Sequence, residues 1–503
     1  MAERVEGVLA KESLPLCVDL DGTLVKSDTL LDAAMALWRK QPLSPLQWPG
    51  WMARGKAQLK REITSRVELD VEHLPYNQPL LEYLQAEFTQ GRKIYLATAA
   101  DGALARRVAE FLGIFEGVLA SDGTLNLAGG NKLAAFEAEF PGGFTYVGNA
   151  LPDRHLLRRS VGPMVANPDK RLLRVMAQDG TVPVHRFEDR VFGVKALVKA
   201  IRLHQWAKNS LIFVPLLLAH EATPNRLAAA TLAFFSLGFC ASATYLINDL
   251  LDIEADRRHP RKRQRPFAAG DLSPVTGVAV VLGFFALSVA LAMMLPWVFV
   301  LLPGLDGAHE ALVRPYGFAA WLGIYTVSTL AYSIRLKRMM LVDVMVLSGL
   351  YTLRILAGAA ATGVEVSTWL AAFSIFFFLS LAFVKRFSEL FMMAEKSESL
   401  ELKPSGRGYQ LGDLEQVRSF GTSAGYASVV VLTMYISSLN SLQLYGHSRR
   451  LWLLAPVLLL WLSRVWLLAS RGDMHEDPVV YAITDKRSWL LGAVGVAVVW
   501  WAL

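Results

Sequence analysis

A soluble α/β domain followed by a polytopic α-helical membrane bundle is the fold this sequence predicts, on three observations. The chain has 503 residues, 53% of them hydrophobic, with a mean hydropathy of +0.34, more than one soluble domain needs. Its apolar residues are unevenly spread: the first 190 or so read as α/β and the remainder as long apolar spans. The stretch from Asn248 to Gly270, NDLLDIEADRRHPRKRQRPFAAG, places acids and a dense basic run directly after one such span. The net charge of +7 collects in short loops between apolar segments, so anionic lipid and phosphorylated substrates are expected as partners, and nucleic acid is not.

The front domain opens with MAERVEGVLAKESLP, which has no apolar core of a signal peptide, so this domain is expected to stay in the cytosol. Cys17 and Cys240 lie far apart in apolar contexts, so no disulfide framework is expected. PLCVDLDGTLVKSDT, Pro15 to Thr29, is a short buried strand running into two Asp separated by one residue. Helical periodicity in LLDAAMALWRK and AQLKREITSRV then predicts a cap over that strand end. KIYLATAAD is a strand ending at Thr98, Lys132 in GGNKLAAF opens a helix, and FTYVGNALPD runs to Asp153. In this order the pieces resemble the four motifs of the haloacid dehalogenase (HAD) phosphohydrolases. The resemblance implies Asp19 as nucleophile and Asp21 as general acid/base, with Thr98 and Lys132 on the substrate phosphate. It also implies magnesium held by Asp19, Asp21 and Asp153, which offsets the crowding of anions. The family reads Gly-Asp where this chain has Gly148-Asn149. An amide there keeps an oxygen ligand but removes a charge, and metal affinity should fall. The HAD-like domain is expected to cover residues 1–190.

From 191 to 503 the pattern is that of a membrane protein. RVFGVKALVKAIRLHQWAKN is amphipathic and reads as an interfacial helix. Apolar stretches near 207–222, 226–249, 274–302, 314–334, 341–361, 367–385, 420–440, 451–470 and 488–503 predict about nine spans. Loops rich in Lys and Arg alternate with poor ones, which predicts an inner-membrane protein with its site on the cytoplasmic face.

Within the stretch from Asn248, the residues Asn248, Asp252 and Asp256 recur at i, i+4 and i+8 and share a helix face, with Asp249 beside them. Carboxylates so stacked repel unless a cation sits between them. Magnesium suits this set because it takes oxygen ligands and bridges carboxylates to substrate phosphates, so a diphosphate substrate is expected. Arg257, Lys262 and Arg265 in the basic run would grip further phosphate oxygens. The plainer reading, a positive-inside signal beside an acidic helix end, leaves the register of Asn and Asp to chance. NDxxDxxxDR followed by HPxKRxRPxAxG resembles the first signature of the UbiA superfamily of intramembrane prenyltransferases, and within it the decaprenyl-phosphate phosphoribosyltransferase branch. A second cluster, YSIRLKRMMLVDVMVLSGLYTLR, contains Lys337, Asp343 and Arg354. The superfamily's second signature supplies another Asp cluster, of which only Asp343 remains here, and the pattern again resembles the phosphoribosyltransferase branch. Lys337 also fits a residue whose stem snorkels along lipid. HQWAKN contributes Lys208 and Asn209, and FVKRFSEL contributes Lys385 together with Arg386 and Glu389, all expected to face the cytosol.

The resemblance implies transfer of 5-phosphoribose from phosphoribosyl pyrophosphate to a polyprenyl phosphate such as decaprenyl phosphate, with magnesium held by Asp249, Asp252 and Asp256 and with Asp343 as a further candidate. The HAD-like domain would then remove the 5-phosphate of the product. Two alternatives remain: an aromatic prenyltransferase using a prenyl diphosphate, and a non-catalytic membrane protein with a degenerate front domain.

Overall fold

A computed structural model describes residues 14–121, 127–191, 193–301, 317–394, 408–474 and 477–503. The chain forms two compact units. One comprises Met1–Ile201 together with Tyr245–Val281, the other Arg202–Thr244 together with Leu282–Leu503. The acidic and basic stretch after Asn248 thus folds with the front domain, an association that the expected boundary at 190 did not anticipate.

The front unit is built on a six-stranded parallel sheet in the order β3-β2-β1-β4-β5-β6. The strands are β1 (Leu16–Val18), β2 (Ile94–Asp101), β3 (Gly117–Ser121), β4 (Thr145–Gly148), β5 (Gly162–Ala166) and β6 (His185–Phe187). β1 is the short apolar run expected before DLDGT. It is wholly buried and pairs with β2 through Cys17 and Tyr95 and with β4 through Cys17 and Tyr146. The order reverses between β1 and β4, and in sheets of this kind ligands settle at the carboxyl ends of the strands flanking that reversal. Phe136, Phe140, Phe144 and Tyr146 pack edge to face beneath the sheet. The cap is present as helices Thr29–Lys40, Trp48–Ala53 and Lys56–Thr64. Asp28 caps the first of them, accepting from the Leu31 N–H at 3.1 Å.

In the other unit and across the two chain crossings, seven helices among the described residues are long and apolar enough to cross a membrane: Pro224–Leu251, Pro274–Phe299, Gly317–Ile334, Val342–Thr362, Thr368–Ala394, Leu411–Ile436 and Ser448–Ser470. The two remaining expected spans take other forms. Residues 207–222 divide between a 3-10 segment, Leu203–Phe213, and the short helix Val214–Leu218, with left-handed backbone at Arg202 and His220 and a proline at 215. The last helix, Lys486–Ala502, has 17 residues. At 1.5 Å per residue it is about 25 Å long, short of the roughly 30 Å hydrocarbon core. Expected spans at 274–302 and 314–334 also reach into residues 302–316, which lie outside the described set.

Small residues let these helices approach closely, as apolar packing in lipid requires. Gly421 and Gly425 line one face of Leu414–Ile436. A Cβ at Gly421 would lie 2.2 Å from the Trp466 ring. In the space left by the missing side chains, the Ser380 hydroxyl donates to the Gly421 carbonyl at 2.7 Å and accepts from the Trp466 indole at 3.1 Å.

Candidate active site

In the front unit, the ends of β1 and β4 bring the expected acids together. Lys132 Nζ donates to Asp19 Oδ1 at 2.7 Å and to the Tyr146 hydroxyl at 2.9 Å, and that hydroxyl donates to Asp153 Oδ1 at 2.8 Å. Burial lifts the Asp19 carboxyl to about 6, with Lys132 opposing and Asp153 adding to the rise. Burial and then Asp28 lift Asp21 to about 7, against the Thr29 N–H that donates to it at 2.8 Å. Two neighbouring buried acids held so far above their ordinary range are relieved by a cation between them. Asp153 Oδ2 accepts from the N–H groups of Asn149 and Ala150, both at 3.1 Å. Its two oxygens are therefore engaged by protein donors, and the acid shapes the turn after β4. The Asn149 side chain closes over Gly22: a Cβ built at that glycine, whose φ is +75°, would lie 2.1 Å from the amide nitrogen. Thr98 is fully buried within β2, which runs three residues past the expected end at Thr98 to Asp101, and its hydroxyl accepts from the Ala100 N–H at 3.0 Å. Tyr146, the link between Lys132 and Asp153, escaped the sequence reading.

The second cluster of the same unit lies on Tyr245–Val281. The helix Pro224–Leu251 is followed by Ile253–Arg257, and the i to i−4 bonds from Asp252 to Asn248 and from Asp256 to Asp252 persist at 2.9 and 2.8 Å. The i, i+4 backbone bonds thus run across a break at Asp252, where one helix ends and the next begins. Asp249 and Asp256, two turns apart, converge on one nitrogen: Arg265 Nη1 lies 3.1 Å from Asp249 Oδ1 and 2.7 Å from Asp256 Oδ2. Asp252 pairs instead with Arg39 of the cap at 2.9 Å. Burial raises Asp256, with Arg265 opposing. Carboxylates that converge on one cationic atom form an oxygen donor set that fits magnesium, with Arg265 standing where the ion would sit. Lys262 is exposed. Arg257, expected to bind substrate, is buried and serves the fold. It pairs with Asp32 at 2.7 Å and donates to Ser27 at 3.0 Å and to the Ala268 carbonyl at 3.0 Å. A guanidinium with no route to solvent needs such protein partners.

In the membrane unit the polar side chains form two networks. In the first, Lys208 Nζ donates to Asp477 Oδ2 at 2.7 Å, Lys385 Nζ lies 3.2 Å from the same oxygen, and the Tyr351 hydroxyl donates to Oδ1 at 3.1 Å. Arg354 donates to Asn209 Oδ1 at 3.1 Å and to the Tyr325 hydroxyl at 3.0 Å, and its guanidinium stands 5.4 Å from the Tyr351 ring centre. Two lysines thus share one carboxylate, with the Arg354 guanidinium against the same tyrosine ring. Burial, with Lys385 and Arg354 adding to it, pushes the Lys208 ammonium down to about 8 despite Asp477. Burial alone would raise Asp477, but Lys385 and Lys208 outweigh it and hold the acid well below its usual range. Surplus positive charge of this kind is relieved by a second anion.

Asp343 belongs to the second network. It is fully buried, 2.8 Å from Arg386 Nε, and accepts from the Tyr409 hydroxyl at 2.6 Å. That hydroxyl also accepts from the Leu341 N–H at 3.0 Å, supporting a non-glycine residue at φ +64°. Asp343 is therefore committed to protein partners. Arg386, read from sequence as facing the cytosol, is 1% exposed because it answers this buried acid. Lys337 lies half-buried in the turn Leu336–Arg338. Asp477 went unnoticed in the sequence because its partners lie 92 to 269 residues away. Its one local mark is position: it caps the helix that begins at Pro478.

An apolar cavity of about 1250 Å³ adjoins the first network in this unit, walled by Trp369, Phe373, Phe377, Trp461 and others. Leu381 and Val479 line both this cavity and the small cleft holding Tyr351, Lys385 and Asp477. The cleft that holds Lys385 and Asp477 thus shares a wall with the apolar chamber.

Residues 210–490 match the family model described as the UbiA prenyltransferase family. The chain belongs to the UbiA prenyltransferase family. The match takes in the acidic and basic stretch as well as the cavity, and with the seven apolar helices it makes the chain an integral membrane protein. Among UbiA relatives and neighbours, the uncharacterized protein y4nM of Sinorhizobium fredii is 35% identical over 96% of this chain and 89% of its own, so the likeness includes the front domain. The decaprenyl-phosphate phosphoribosyltransferase of Mycobacterium tuberculosis is 37% identical over 39% of this chain, which spans 61% of that protein's length. A UbiA homologue from Archaeoglobus fulgidus, whose structure holds GPP and Mg²⁺, is 16% identical, with a TM-score of 0.43 over 60% of this chain and 99% of that one.

Proposed function

We propose that this UbiA-family protein transfers 5-phosphoribose from phosphoribosyl pyrophosphate to a polyprenyl phosphate on the cytoplasmic side of the inner membrane. The observation that carries this reading is the cationic cluster of Lys208, Lys385 and Arg354 around Tyr351, beside an apolar cavity of about 1250 Å³ with which it shares the wall residues Leu381 and Val479, a pairing that suits a phosphate head on a long apolar tail. A phosphate acceptor is already an oxyanion, so its attack on the ribose C1 needs no general base. The cleft supplies the positive charge that draws the acceptor from water, and the cavity walls take its tail. The bond from C1 to the pyrophosphate oxygen breaks as the new C–O bond forms, and pyrophosphate departs. Asp249, Asp252 and Asp256 would hold magnesium, which when bound offsets charge on that leaving group. Lys262, Arg265 and Lys337 would steady the donor's phosphates.

The front unit extends the proposal. Asp19 and Asp21, raised to about 6 and about 7, would hydrolyse the 5-phosphate of the lipid product, Asp19 as nucleophile and Asp21 as acid. Loss of that phosphate would draw the transfer forward.

The test incubates purified protein and Mg²⁺ with polyprenyl phosphate and labelled phosphoribosyl pyrophosphate. Label should enter the organic phase, Asp252→Asn should abolish it while the protein stays folded, and Asp19→Asn should leave the product phosphorylated. Consumption of a prenyl diphosphate with an aromatic acceptor, and no labelled lipid, would replace this reading with that of a ring-modifying enzyme.

A further inference from the structure

The cap helix Thr29–Lys40 touches both acidic clusters of the front unit. At its start the Thr29 N–H donates to Asp21 at 2.8 Å. In its first turn Asp32 forms the buried pair with Arg257. At its end Arg39 makes two contacts, 2.9 Å to Asp252 Oδ1 and 3.1 Å to the Leu251 carbonyl. The second contact places the guanidinium on the last carbonyl of the long helix, where a cation is favoured by the helix dipole as well as by the acid beside it. A drifting surface arginine would not hold both positions. This one is carried by a helix anchored one and a half to two turns earlier through side chains only 1% and 4% exposed.

We propose that Arg39 is a positioning residue of the transferase carboxylates. It shares Asp252 with the divalent ion and thereby sets how tightly that ion is held, so the front domain tunes the metal affinity of the transfer site. The inference rests on the reading of Asp249, Asp252 and Asp256 as the magnesium set. Arg39 lowers the repulsion among the three acids when no ion is present and competes with the ion when one arrives. Removing the guanidinium charge removes one competitor of the ion for Asp252, and binding should tighten roughly fivefold, the scale expected for one partly exposed charge at contact distance.

The experiment measures Mn²⁺ binding by electron paramagnetic resonance on the purified full chain, in an Asp19→Asn, Asp21→Asn background that removes the front cluster's own acids. Arg39→Gln should bind Mn²⁺ roughly fivefold more tightly, and Arg39→Lys, which keeps the charge, should return the affinity toward the parent's. The Mg²⁺ concentration for half-maximal transfer should fall in parallel when the same substitution is made in the otherwise unaltered chain. Unchanged or weaker Mn²⁺ binding in Arg39→Gln, with Asp252→Asn clearly weakened, overturns the role of Arg39 alone. Unchanged binding in Asp252→Asn overturns the magnesium assignment on which it rests.

Discussion

Replacing Arg257 by methionine removes the guanidinium from a pocket in which Asp32 is 1% and Arg257 4% exposed, 2.7 Å apart. Asp32 would keep only the Ser27 hydroxyl at 2.6 Å, and its Oδ1 already has no hydrogen-bond partner. An acid so buried and stripped of its cation costs about 3–5 kcal/mol. For a unit of this size each kcal/mol moves the melting temperature by about 2–4 °C, so a fall of roughly 6–20 °C is expected. The assay is thermal melting of the detergent-solubilised protein read by pulse proteolysis, following cleavage within the cap, residues 29–64. A matched apolar pair, Arg257→Met with Asp32→Leu, removes both charges and should recover most of the loss, because the penalty lies in the orphaned charge. A single variant that melts within about 2 °C of the parent, or a double variant no better than the single, would refute the reasoning.

Lys208→Met should raise the KM for polyprenyl phosphate by roughly tenfold or more while the donor KM changes little, since it removes a charge-assisted contact to the acceptor head; initial-rate kinetics with each substrate varied would read it. Gly358→Ala places a Cβ 2.1 Å from the Ile212 carbonyl oxygen, so the backbone carrying Lys208 and Asn209 must shift. Transfer should fall roughly tenfold even in protein that remains monodisperse on size-exclusion chromatography. Asp19 and Asp21 have folded pKa values of about 6 and about 7, above the ordinary 3.8. Their contribution to stability is therefore fully present below the unfolded value and lost as pH rises through about 6 to about 7. Melting of metal-free protein should move downward as pH rises from about 4 to about 7, and added Mg²⁺ should restore more at the alkaline end than at the acid end. Asp19→Asn with Asp21→Asn should flatten the profile.

What the sequence disclosed and what it hid divide by distance along the chain. DLDGT after a buried strand, Lys132 at a helix start and the i, i+4 register from Asn248 are local patterns, and each appears in the structure where its spacing implied. Long-range pairing had no such signature. Asp477 meets Lys208 across 269 residues, and Arg39 meets the Leu251 carbonyl across 212. Arg257 stood among six cations that look alike in sequence, and only its burial against Asp32 separates it from exposed Lys262. Span counting erred where hydropathy alone was used. Residues 207–222 are apolar enough for a membrane helix, but the left-handed residues at 202 and 220 break the backbone.

The pair between Asp32 and Arg257 also imposes an order on synthesis. The two residues are 225 positions apart, and the helix Pro224–Leu251 lies between them in the chain. All six strands precede residue 188, so the sheet emerges from the ribosome complete while its cap still lacks the guanidinium that neutralises Asp32. That guanidinium arrives only after the first long apolar helix has been made, and a helix of that kind leaves the ribosome for the bilayer. The sheet domain thus completes its cap only once the first long apolar helix has been made. In a nascent chain arrested near residue 201, Asp32 would keep the Ser27 hydroxyl but lack its guanidinium.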